Sequence, residues 1–291
     1  MRKILKYGVF CLMCMMLMTS CNKNDLSGFF VPSSESVDKR FSMSMRYNEE
    51  NGFDTIMVDS DDYLLYMMTD VHIENSTENL DEYVADYLAD TMAAKFSLCL
   101  GDLIYGKNRF DNFVQQVKPI ADAGRKVYYT VGNHDLYFGQ WNDFYDRFGS
   151  STYWFVVQTP GGFKDLYVSL DSGSGTLGVD QRNWIEDILN EKQNEGFRHI
   201  IVYTHTHFFR TNGSPCITGS FAMEETYDLA DLFDRYDVTM VLQGHSHYRN
   251  LTVFKGVTYL RLDAMKEGSD EAYYTVLQVG DNVIPSFREV N

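Results

Sequence analysis

All but one of the seven histidines in this 291-residue chain fall in four short motifs, each directly behind an apolar run. In chain order they are Asp70-Val71-His72, Gly132-Asn133-His134-Asp135, Thr204-His205-Thr206-His207 and Gly244-His245-Ser246-His247, with Gly101-Asp102 between the first two. The apolar runs read as β-strands, so each motif sits at a strand end, where open α/β sheets place their sites. Aspartate, histidine and asparagine are the ligand types taken by a pair of hard-to-borderline metal ions. The pattern constrains fold and chemistry together, because the strand ends must converge for these side chains to share a site.

Between the motifs, strands alternate with helices. Residues 63–69, 96–100, 127–131, 199–204 and 238–242 read as strands. Leu80, Tyr83, Val84, Tyr87, Leu88 and Met92 recur at helical spacing, and further helices are expected over 110–123, 180–194 and 224–236. A hairpin is expected around Pro160-Gly161-Gly162, and three short strands over 251–279. The class is therefore α/β, with the strand-rich C-terminal part suggesting a second sheet.

Composition bounds the remaining possibilities. With 44% hydrophobic and 15% aromatic residues, wholesale disorder is excluded. Residues 1–21 stand apart: Arg2, Lys3 and Lys6 precede an apolar stretch over 7–18, shorter than the roughly 20 residues of a membrane span. The stretch ends in Leu17-Met18-Thr19-Ser20-Cys21, which reads as a secretory signal with a lipoprotein-type cleavage box. Cys21 would become the lipidated first residue of a bacterial lipoprotein in the outer membrane, facing either side; an ordinary cleaved signal or a signal anchor is the alternative. Residues 22–55 read as a flexible tether and 56–291 as the folded domain. Loss of residues 1–21 removes three basic residues and takes the formal charge from −16 to −19. Such acidity argues against nucleic acid as a partner and favours small or neutral-bodied substrates, while two bound divalent cations would cancel about four charges locally and let the site attract an anion. Cys99 and Cys216 form no framework, and whether they pair is open.

The ordered set of five motifs, spanning residues 63–250, resembles the calcineurin-like metallophosphoesterase superfamily. That resemblance implies a four-layer α/β/β/α sandwich of two mixed sheets flanked by helices. It implies two divalent or trivalent ions (iron, manganese or zinc), one held by Asp70, His72 and His247 and the other by Asn133, His205 and His245, with Asp102 bridging. A metal-bridging hydroxide would attack a phosphoric mono- or diester. His134 would then protonate the leaving oxygen, and Asp135 would orient its ring. The rival reading is a non-catalytic protein that binds phosphate ligands on the same fold.

Three further residues are candidates for touching substrate. Gly101-Asp102-Leu103-Ile104-Tyr105 resembles the Gly-Asp-x-x-Tyr pattern of purple acid phosphatases, in which the tyrosine binds ferric iron. This chain has His72 where those enzymes have glycine, so Tyr105 is expected beside the metals or facing substrate. His207 stands where the superfamily usually has proline; it either contacts the phosphate or fills the mouth of the site. Arg210 follows the fourth motif in a loop that contains Gly213, Pro215 and Gly219.

Overall fold

The computed structural model describes residues 35–210, 217–269 and 271–290; the signal segment, Cys21 and Cys216 lie outside them. Its strands are β1 (Thr55–Met57), β2 (Tyr63–Met68), β3 (Ala93–Cys99), β4 (Lys126–Tyr129), β5 (Tyr153–Gln158), β6 (Lys164–Leu170), β7 (His199–Thr204), β8 (Met240–Gln243), β9 (Asn250–Phe254), β10 (Val257–Arg261), β11 (Tyr273–Val279) and β12 (Val283–Glu289). They form a five-stranded sheet in the order β12-β11-β2-β3-β4 and a seven-stranded sheet in the order β1-β5-β6-β7-β8-β10-β9. Within them β2, β3 and β4 are parallel, as are β6, β7 and β8. Parallel neighbours need crossover connections, and the helices supply them.

Strand alternation sorts the core into three layers. Leu65 and Met67 of β2 point inward and meet Ile201, Tyr203 and Leu242 of the other sheet. Tyr66 and Met68 point outward, onto Leu80, Tyr83 and Tyr87 of the helix Glu78–Ala89 and Phe113 of the helix Phe110–Asp122. On the far side, Val168, Val202 and Val241 pack under the helices Gly178–Lys192 and Met223–Arg235. Sheets buried on both faces require near-continuous apolar runs, which is why these strands stood out in the sequence. The result is the expected α/β/β/α sandwich.

Four features depart from the sequence reading. The tether expected over 22–55 is not extended chain throughout, because Val37–Asn51 is a helix. Its buried positions, Val37, Arg40, Phe41, Ser44 and Asn48, follow helical spacing, but three of the five are polar, so hydrophobic periodicity misses them. The C-terminal strands do not form a sheet of their own: β9 and β10 extend the seven-stranded sheet, while β11 and β12 join β2 in the other. β12 escaped notice because it is an exposed edge strand carrying Pro285, a residue that edges tolerate. β1 is three residues long and equally weak in pattern.

Arg40 fixes the N-terminal helix to the domain. Its guanidinium donates to both oxygens of Asp171, at 2.7 and 3.0 Å, and also to the Glu35 carbonyl and Ser174 Oγ. Both members of the pair are fully buried. Removing one partner of a buried pair strands a charge, at a cost of about 3–5 kcal/mol. Arg40→Ala is therefore expected to lower unfolding free energy by about that much in urea titration. A loss under about 1 kcal/mol would show the clamp to be dispensable.

Candidate metal centre

The motif residues converge at one rim of the sandwich. Asp70 and His72 follow β2, Asp102 follows β3, Asn133 follows β4, His205 follows β7, and His245 and His247 follow β8. Five of these residues, Asp70, His72, Asp102, His245 and His247, hold φ between 50° and 75°, the left-handed region that side chains other than glycine seldom adopt. The chain thus turns sharply at the ends of β2, β3 and β8 and swings these side chains inward. Gly244 makes room for one such turn, since a Cβ there would collide with Thr69 Oγ1 and Asp70 Oδ2.

Two groups of potential ligand atoms result. In the first, His72 Nε2 lies 3.1 Å from His247 Nε2 and 3.8 Å from Asp70 Oδ1, which is 3.4 Å from His247 Nε2. In the second, Asn133 Oδ1 lies 3.1 Å from His205 Nε2 and 2.8 Å from His245 Nδ1. Asp102 Oδ2 touches both, 3.7 Å from His72 Nε2 and 3.2 Å from His205 Nε2. Ligands about 2.1 Å from a common cation stand about 3.0–3.4 Å apart along the edges of a tetrahedron or octahedron. The observed spacings are of that order.

The surrounding hydrogen bonds leave the right atoms available. Asp70 Oδ2 accepts from Thr69 Oγ1 and the His245 amide, whereas Oδ1 is buried without a hydrogen-bond partner. An orphaned carboxylate oxygen between two imidazoles fits a cation. His205 Nδ1 is 2.8 Å from the Leu100 carbonyl and donates to it, which turns Nε2 toward Asn133 and Asp102. Asn133 Nδ2 donates to Tyr137 Oη, which turns Oδ1 toward the histidines.

The electrostatics follow from burial of opposite charges together. Burial opposes ionisation of Asp70 and Asp102, yet the surrounding imidazoles hold both carboxyls well below the usual range. Burial also opposes charge on His205, but Asp102 pushes it up to about 10. Burial, then the neighbouring His205, takes His245 down to about 4. That ring stays neutral, the form in which histidine binds metal.

Asp135 braces the backbone beneath the centre. Its carboxylate accepts the N–H groups of Gly132 and Asp102 on one oxygen, and those of Leu103 and Ile104 on the other. What it holds is the backbone of the two loops that carry Asp102 and Asn133. Burial, then Asp102, pushes its carboxyl up to about 8.

His134 faces the centre, with a ring nitrogen within 4.8 Å of ligand atoms of His72 and Asp102. Tyr105 stacks on it at 5.4 Å and Tyr137 packs at 4.7 Å. His207 is buried behind His245, their ring centroids 5.5 Å apart, and burial above all takes it down to about 3. Arg210 is exposed, and no described contact joins it to the cluster. The isolated His199 is structural: it is buried and bonds the Gly280 carbonyl. Cys99 is a free, buried thiol. Sequence reasoning passed over Thr69 and the Leu100 carbonyl, whose roles lie in backbone geometry and leave no motif.

A family model for calcineurin-like phosphoesterases matches residues 64–249, more than half of the chain. Comparison with curated proteins yields no match. Among solved structures, a dimetal phosphatase from Danio rerio superposes with a TM-score of 0.58 at 12% identity, covering 78% of this chain and 96% of that one. GAP50, the anchor in the inner membrane complex of Plasmodium, gives 0.59 at 11% identity, covering 78% and 84%. A purple acid phosphatase from yellow lupin seeds (Lupinus luteus) gives 0.57 at 15% identity, covering 79% of this chain and 52% of its own. At such identities these likenesses are of fold. The family match spans all five motifs, and the chain belongs to the calcineurin-like phosphoesterase family.

Proposed function

We propose that this protein is a dinuclear-metal-dependent hydrolase of phosphoric mono- or diesters. The observation that carries the reading is Asp102 Oδ2, which reaches both ligand groups at once, beside an Asp70 oxygen left without a hydrogen bond. Asp70, His72 and His247 would hold one ion, Asn133, His205 and His245 the other, and Asp102 both. When bound, such ions lower the pKa of water and neutralise phosphoryl charge. Asp135 keeps Asp102 in register by fixing its backbone. His134 holds the proton on a ring nitrogen for the departing oxygen, and the flanking Tyr105 and Tyr137 rings set its orientation.

Tyr105 supports a site without a tyrosinate–metal bond. Its ring is committed to stacking on His134, while His72 occupies the ligand cluster. The retained donor set speaks against the purely binding alternative, since a scaffold has no use for an ionisable cluster this buried and strained. We further propose that the domain is carried to the outer membrane by lipid on Cys21, which the signal-like residues 1–21 support. Cys21→Ala should then shift the protein from the membrane to the soluble fraction on ultracentrifugation; an unchanged distribution would remove the lipid from the account.

Asp102→Ala should lose both ions together, whereas His247→Ala should lose chiefly one, as read by elemental analysis. Two ions retained without Asp102 would contradict the bridge. With manganese, zinc or iron added, the protein should hydrolyse p-nitrophenyl phosphate or its bis ester, and failure with every metal would favour the binding reading. His134→Asn should keep its ions and slow alkyl esters about 10²-fold. Aryl esters should suffer less, because nitrophenolate departs without a proton. Equal losses would refute proton donation.

A further inference from the structure

Lys266 lies beyond the last residue matched by the family model, yet the fold returns it to the mouth of the metal centre. The neighbouring Met265 is buried; its amide donates to the Thr69 carbonyl at 3.1 Å, one residue before Asp70, and its carbonyl accepts from Asn79 Nδ2. On the other side, Glu267 accepts the Glu78 amide at 3.0 Å, at the start of the helix Glu78–Ala89. Lys266 is held between these anchors. Its Nζ stands 5.2 Å from the centroid of Tyr105, the ring that stacks on His134 and meets His72 edge-on at 6.0 Å.

The ammonium is conspicuous for what it lacks. Seven other lysines of the domain reach a carboxylate within 4 Å. In a chain with 41 acidic and 25 basic residues, Lys266 and the exposed Lys107 are the two described lysines that reach none among the described residues, and of these Lys266 is the one seated on the Tyr105 ring. Lys266 is half-buried. A compact cation kept unpaired beside an anion-processing site suits an incoming anion. The ions would lie at the transferred phosphoryl group, with His134 beside the leaving oxygen. Lys266 and His134 both contact the Tyr105 ring, so a single aromatic ring links the ammonium to that donor.

We propose that Lys266, seated on Tyr105, selects phosphoesters whose leaving alcohol carries a second acidic group a few bonds from the scissile oxygen. The inference rests on the phosphoesterase reading and on His134 as the leaving-group donor. The shared chemistry is an anion, either carboxylate or a second phosphate.

The test compares ethyl phosphate, phosphoglycolate and ethane-1,2-diol bisphosphate on the metal-loaded, full-length protein. The two acid-bearing esters should show the higher kcat/KM, and whichever leads identifies the acid. Lys266→Gln should shrink their advantage over ethyl phosphate by about fivefold, while Lys266→Arg retains it. Raising the salt concentration should shrink the wild-type advantage and leave the Gln variant little changed. An equal loss on all three esters, or an unchanged ratio, would overturn the proposal. Calorimetric binding of 3-phosphonopropionate against propylphosphonate reads the same preference without turnover. A protein that hydrolyses none of the esters would thus sink the reaction while Lys266 is still judged by its Gln variant.

Discussion

The metal centre depends on one buried carboxylate that would bind no metal. Asp135 gathers the amides of Gly132, Asp102 and Leu103 and so ties the turn after β4 to the turn after β3. Asp102 returns the brace by accepting the His134 amide on Oδ1 at 2.8 Å. Gly132 permits this approach, because a Cβ there would overlap Asp102 Oδ1. With Oδ1 occupied in the brace, Oδ2 is the atom left facing the two ligand groups. The bridging position is thus set by backbone hydrogen bonds, independently of any ion.

That brace must also sustain strain. Residues in the left-handed region cost of order 1 kcal/mol or more each, and five of the nine positive-φ residues other than glycine are motif residues. Such conformations persist only where the surroundings over-determine them. Here the surroundings are two sheets buried on both faces, with amide bonds such as Asp70 to the Gly101 carbonyl and His72 to the Asp102 carbonyl continuing the β2–β3 pairing past the strand ends. Rigid sheets carry the strained turns, and the turns aim the side chains.

This division of labour explains what could be read in the sequence. Asp70, His72, Asp102, Asn133, His205, His245 and His247 were legible because each follows an apolar run, and because side chains that gather at a site must be of ligating type. His205 and His207 part in the structure: the first faces Asn133, the second backs onto His245. The helix Val37–Asn51 was illegible because it docks through Arg40, Ser44 and Asn48, polar residues that look solvated until Asp171, Ser151 and Thr152 are brought opposite them. The amides that Asp135 gathers could not be read from the sequence, since hydrogen bonds from backbone N–H groups to a carboxylate leave no trace in side-chain spacing. Lys266 carried no signal, being set in place by contacts from Thr69, almost 200 positions earlier in the chain.

Accessibility gives the site a direction. Asp102 and His205 lie at the floor, essentially without exposure, whereas the side chain of His247 is 36% exposed and Tyr105 is 39% exposed. A ligand therefore enters past His247 and Tyr105, the side on which Lys266 stands. The rest of the surface is strongly acidic and repels anions at distances comparable to the Debye length, about 8–10 Å. Among the described residues, the Lys266 ammonium and a cluster that could hold cations coincide at this mouth, which would draw an anion to that opening. The fold alone confers no such selectivity, since neighbours of the same shape include both a phosphatase and a membrane-complex anchor.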